Sequence, residues 1–121
     1  MVVLDERRPL YKIKANLFKG LAHPYRIRVL EILSSNDEAS VTEMLTATGL
    51  EASHLSQHLA VLRRYGLVVS ERRASVVYYH LALPQIAELL RVARVLLGEI
   101  LTDTDTQRAL VAGLPAIPDA Q

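Results

Sequence analysis

The sequence predicts a mainly α-helical domain with one small β-hairpin, in the order α-α-α-α-β-β-α. Three observations predict it. Apolar residues recur at helical spacing in the N-terminal third and again through residues 84–101. Gly49 and Gly66 each close a helical pattern, and around Gly49 two helices are separated by only a short turn. Between Gly66 and Pro84 the composition shifts to two runs rich in β-branched and aromatic residues, the pattern of a hairpin.

The first helix is expected from about Leu10 to Ala22, with Leu10, Ile13, Leu17 and Leu21 on one apolar face. His23-Pro24 breaks it, because the residue before proline avoids helical angles while proline suits a helix's first turn. A second helix follows from Pro24 to about Leu33, with Ile27 and Leu30 inward and Val29 a further candidate. Ser34-Ser35-Asn36-Asp37 is a turn cluster. Ser40 is a suitable N-cap for a short third helix, Val41 to Thr48, and Glu43 completes a capping-box pattern. Gly49 stands where a left-handed residue ends that helix. The fourth helix spans about Ala52 to Tyr65 and is closed by Gly66. Leu67 to Glu71 and Val76 to Leu81 read as strands, with Arg72-Arg73-Ala74-Ser75 between them. Ala74 occupies a turn position that glycine would suit better. Pro84 opens a last helix reaching about Leu101. Residues 1–101 are thus expected to form one domain, and 102–121, with Pro115 and Pro118, a loosely ordered tail.

A chain of 121 residues fits one domain with a single core. Half its residues are hydrophobic, but the aromatics are only five Tyr and Phe18, so the core must be aliphatic. The absence of Cys excludes disulfides, Cys-ligated zinc, thiol redox sensing and cysteine nucleophiles. Charges from Asp5 to Arg8 argue against a signal peptide. The apolar segment from Leu83 to Leu101 is interrupted by Gln85, Glu88, Arg91, Arg94 and Glu99, so it falls short of a membrane span. A soluble, cytoplasmic protein without membrane contact is expected. The net charge of +1 conceals segregation. Residues 1–31 hold seven Lys/Arg against three acids, and residues 51–80 four Arg against two Glu. Basic charge concentrated in two segments is a weak footprint of nucleic-acid binding.

The fourth helix carries the sharper signal. At 100° per residue, Leu55, Leu59 and Leu62 form one stripe, with His58 on its flank. Ser53, Ser56, Gln57, Ala60 and Arg64 fall on the opposite side. A helix entering a major groove needs small residues for close approach, Ser and Gln for base edges, and Arg for phosphate. An ordinary solvated face would be richer in Glu and Lys. In the hairpin, Arg72, Arg73 and Ser75 near the tip suit phosphate or minor-groove contact. The alternative there is a plain exposed hairpin. Helix, turn, helix and hairpin together describe a winged helix-turn-helix, with double-stranded DNA as the expected partner.

The last helix is apolar over far more than a narrow stripe, which suggests a homodimer. Its expected interface is Leu89, Ala93, Leu96, Leu97 and Ile100, joined by Leu10, Ile13 and Leu17 of the first helix. Two-fold symmetry would set two recognition helices about 34 Å apart on a roughly palindromic operator. The alternative is a C-terminal tail folded over the same surface.

Three stretches resemble the ArsR/SmtB family of bacterial winged-helix repressors. Leu17 to Leu30 resembles its opening LxxLAxPxRxxIL, Leu55 to Val68 its vSxHLxxLrxaGLV recognition helix and first wing strand, and Val77 to Leu81 its second wing strand. The resemblance covers about residues 10–101. It implies a homodimeric repressor released from its operator by an effector, often a metal ion, with Ser53, Ser56 and Gln57 at base-contacting positions. The family's usual metal ligands are missing: residues 41–48 hold no Cys and residues 84–101 no His. Glu51, His54 and His58 share a helix face and could in principle hold zinc. The plainer reading places His58 in a hydrogen bond inside the domain and His54 near DNA. No metal, cofactor or catalytic residue is therefore expected, and the effector stays open. A winged-helix module that binds protein instead of DNA is the competing reading. An enzyme finds no glycine-rich phosphate loop and no assembled Ser/His/Asp set to support it.

Overall fold

The computed structural model describes residues 8–102 together with 112 and 113. The expected loose tail, 102–121, lies outside the described residues apart from 102, 112 and 113. The elements are α1 (Leu10–Leu21), α2 (Pro24–Ser35), β1 (Ala39–Ser40), α3 (Val41–Thr48), α4 (Ala52–Arg64), β2 (Val68–Arg73), β3 (Val76–Leu81) and α5 (Gln85–Ile100). The chain divides into two compact units, Met1–Ala87 and Glu88–Gln121.

In the first unit the core is aliphatic, as the scarcity of aromatic residues requires. Val29 and Leu30 of α2, Met44 of α3, and Leu55 and Leu62 of α4 are fully enclosed. Leu59, Leu67, Val68 and Tyr79 complete the buried set around α4 and the sheet. Each such side chain contributes about 1.5–3 kcal/mol through removal from water, and the leucines of α4 lock that helix in rotation.

Three local expectations are corrected. First, α2 runs on through Ser34 and Ser35, and Ile32 and Leu33 join the core. The Ser34 hydroxyl donates to the Leu30 carbonyl at 2.7 Å, so it joins the helix instead of competing with it. Second, the hairpin is part of a three-stranded antiparallel sheet of order β1-β3-β2, with Ala39 opposite Tyr79 and Ser40 opposite Tyr78. A two-residue strand has no periodicity to read. Third, β2 extends through Arg73, which pairs with Val76, while Arg72 pairs with Val77. The turn is reduced to Ala74-Ser75, and Ala74 takes φ +56°. Pairing along the ladder satisfies two more residues' backbone groups than a four-residue loop would.

The capping box and glycine stop expected for α3 form, and α2 gains a cap that the sequence did not announce. The Ser40 hydroxyl accepts from the Glu43 amide at 3.0 Å, and the Glu43 carboxylate accepts from the Ser40 amide at 2.8 Å. Gly49 ends α3 at φ +71°. His23 caps α2, its Nδ1 accepting from the Tyr25 amide at 3.2 Å, with Pro24 in the first turn.

Candidate nucleic-acid interface

Burial of Leu55, Leu59 and Leu62 turns the opposite side of α4 outward. Ser53, Ser56, Gln57, Ala60 and Arg64 are all exposed, as the helical spacing required. The helix contains no acidic residue, and its N-cap, Glu51, makes no side-chain cap bond. Small side chains, hydrogen-bonding groups and terminal cations therefore line one accessible face without a carboxylate to repel an anion.

The far end of α4 is braced by α1. A Cβ on Gly20 would lie only 2.6 Å from Cγ of Tyr65, so the tyrosine ring rests directly on the glycine. Arg26 of α2 donates from Nε to the Gly20 carbonyl at 2.7 Å and from Nη2 to the Lys19 carbonyl at 3.2 Å, closing the C-terminus of α1. Gly66, at φ +73°, then turns the chain into the sheet. Beside this brace, Ala60, Arg63 and Arg64 line an open depression of about 300 Å³. Sequence reasoning selected Arg64 and missed Arg63. The signal was available, since Arg63 follows Ser56 and Ala60 at i+7 and i+3.

The histidines of α4 separate. His54 is exposed, with Nδ1 3.9 Å from Oε1 of Glu51. His58 turns the other way and meets the His23 ring at a centroid distance of 4.3 Å. Burial holds the His58 imidazole below its ordinary value, aided by His23, Arg26 and His54. Glu51, His54 and His58 are thus not drawn into one site. Among the described residues no three His, Cys, Asp or Glu side chains gather as a metal ion would require.

In the wing, Arg72 and Arg73 are strand residues, not members of the turn, and so point to opposite faces. Arg73 is ion-paired with Glu38 and lies 3.9 Å over the Tyr78 ring. The hydrogen bond that Arg73 donates to the Glu38 carboxylate raises the guanidinium's already high value further. Arg72 is exposed and makes neither ion pair nor side-chain hydrogen bond among the described residues, and Ser75 is exposed at the tip.

The expected interface residues divide as well. In α1, Ile13 and Leu17 are half-buried and Leu10 is exposed. Tyr11 and Phe18, seven residues apart on another face, are also exposed, Phe18 at 52%, and sequence reasoning passed over them. In α5, Leu89 is half-buried, whereas Ala93, Leu96, Leu97 and Ile100 are exposed together with Val92 and Val95. No helix among the described residues is long and apolar enough to cross a membrane.

Known proteins share this arrangement. A family model described as a helix-turn-helix domain matches residues 21–71, which span α2 to β2. The HTH-type transcriptional regulator Rv0081 of Mycobacterium tuberculosis is 54% identical over 99 residues, covering 81% of this chain and 86% of the relative. Its crystal structure superposes with a TM-score of 0.74 at 52% identity, over 79% of this chain and 96% of that one. The transcriptional repressor BigR of Xylella fastidiosa gives a TM-score of 0.66 at 32% identity, over 71% and 87% of the two chains. The homodimeric winged helix-turn-helix DNA-binding domain Mb0332 of Mycobacterium bovis, described as a possible ArsR-family regulator, gives 0.72 at 29%, over 85% and 94%.

Proposed function

The chain belongs to the ArsR/SmtB-type helix-turn-helix transcriptional regulators, and from that premise we infer that it is a cytoplasmic repressor binding a palindromic operator as a homodimer. One observation carries the reading to particular residues: α4 presents an exposed, acid-free face of small and hydrogen-bonding side chains on a helix fixed by three buried leucines. Ser53, Ser56 and Gln57 read base edges from that face, with His54 beside them. Arg64, Arg72, Arg73 and Ser75 hold the backbone. Arg73 is the weaker of the wing pair, because Glu38 already offsets its charge.

The exposed apolar side chains of α5 take up a second copy of the chain, and the exposed face of α1 contributes to the same assembly. Dimerisation would pair two half-sites and multiply their affinities. An effector of unidentified chemistry releases the operator. A likeness to the repressor BigR supports the sign of regulation.

The test is a footprint and a salt titration on the gene's own upstream region. Protection of two half-sites one helical turn apart, with affinity falling steeply as salt rises, is the expected outcome. A chain that shows no salt-dependent binding to any duplex is a protein-binding module, and the reading fails.

A further inference from the structure

His58 sits on α4 between the outward face and the buried leucines, and it is the only side chain of that helix in ring contact with the α1–α2 junction among the described residues. Its partner there, His23, lies 4.3 Å away between ring centroids, and the Tyr25 ring lies 6.2 Å from each. His23 is also the N-cap of α2, through an Nδ1 that accepts from the Tyr25 amide. That role needs a free lone pair on Nδ1, and an imidazolium has none, since both its nitrogens carry protons. A proton on His23 therefore destroys the cap and sets a cation against His58.

His23 at the junction, Arg26 on α2 and His54 one turn earlier on α4 all oppose protonation of His58, and the Tyr25 ring faces it as well. The carboxylate of the N-cap, Glu51, is beside His54 instead. Burial works in the same direction, and His58 is held below its ordinary 6.5. With a depressed value in the folded state, the contribution of this contact is complete above about pH 6.5 and is lost as the pH falls below it.

Resting on the reading of α4 as the DNA-contacting helix, we propose that His23 and His58 are a positioning pair. Their neutral-ring contact holds α4 in its DNA-competent placement, so that protons and operator compete for the protein. Acidification displaces α4 locally and weakens specific binding, and by linkage the operator disfavours protonation of His58. Plain electrostatics runs the other way, because cationic histidines near phosphate strengthen binding as the pH falls. The direction of the effect is thus diagnostic.

The experiment uses the full chain and the tightest duplex it selects at pH 7.5 from a random-sequence pool, with ionic strength held constant. Between pH 7.5 and 5.5 the wild type is expected to lose about tenfold in affinity, the limit for one imidazole that titrates near its ordinary 6.5 when α4 is displaced and stays neutral on the operator. His23→Asn keeps a capping acceptor that cannot titrate, and His58→Gln removes the other ring. Each should confine the loss to within about threefold, whereas His54→Gln should retain the full loss whatever its own effect on affinity. If His58→Gln does not fold, His23→Asn decides alone. Wild-type affinity that is flat or rises on acidification overturns the proposal, as does a full loss persisting in His23→Asn. Global unfolding by pH 5.5, read by circular dichroism, also overturns it, because the displacement proposed is local. A chain that selects no duplex at pH 7.5 brings down the DNA reading itself, a result distinct from all of these.

Discussion

At the scale of single residues, chemistry and exposure separate the side chains proposed to read sequence from those proposed to attract phosphate. Gln57 stands exposed on the outward face of α4, where its amide can make a bidentate contact. Gln57→Ala should therefore cost about 1–3 kcal/mol of discrimination between operator and altered sites, measured by competition between duplexes. The wing arginines should differ from each other. Arg72→Ala should weaken binding to all duplexes and lower the salt slope by about one. Arg73→Ala should do so less, because its charge is shared with Glu38. Glu38→Gln, by freeing Arg73, should strengthen non-specific binding, and a weakening would reverse the role assigned to that pair. Ala74 carries a different signature: it holds φ +56° in the two-residue turn. Relief of a left-handed alanine, about 1–2 kcal/mol, exceeds the added chain entropy of glycine, about 0.4–1. Ala74→Gly should raise the stability by roughly 0.5–1 kcal/mol in denaturant titrations without altering the fold.

At the scale of elements, the placement of α4 depends on contacts remote from its reading face. One end is braced by the Tyr65 ring on Gly20, and the middle by its leucines and His58. Gly20→Ala improves helix propensity by about 1 kcal/mol, yet its methyl would collide with a rigid ring near its attachment point. Overpacking of that kind costs about 1–3 kcal/mol, so the variant should melt lower despite the better helix former. An unchanged or higher Tm would mean that Tyr65 can step aside. The elements also show where sequence was legible. The capping box at Ser40 and Glu43, the breaks at His23-Pro24 and Gly49, and the leucine stripe of α4 are local patterns, readable because their partners lie within a few residues. β1 and the strand status of Arg72 and Arg73 were not, because they depend on β3.

At the scale of the whole molecule, α5 presents a surface unsuited to water. Every residue from Arg91 to Ile100 is exposed, Leu96 at 57%. Apolar exposure of this extent on a helix marks an assembly surface. Leu96→Glu should convert the proposed dimer to monomer in sedimentation at micromolar concentration. With the half-sites no longer tethered, operator affinity should fall by about 10²-fold or more. A variant that stays dimeric would move the interface away from α5.

The sequence by itself determined the helical scaffold, the recognition helix and its outward face, because helical periodicity and capping are written in neighbouring residues. It also determined that the core is aliphatic and that the outward side of α4 carries no acid, since composition alone decides both. Only the tertiary structure decided that Arg73 is bound to Glu38, 35 residues away, that Tyr65 rests on Gly20, and that His58 leaves His54 for His23. Those are pairings between distant segments. Charge, shape and hydrogen-bond geometry choose such partners only once the chain has brought them within reach.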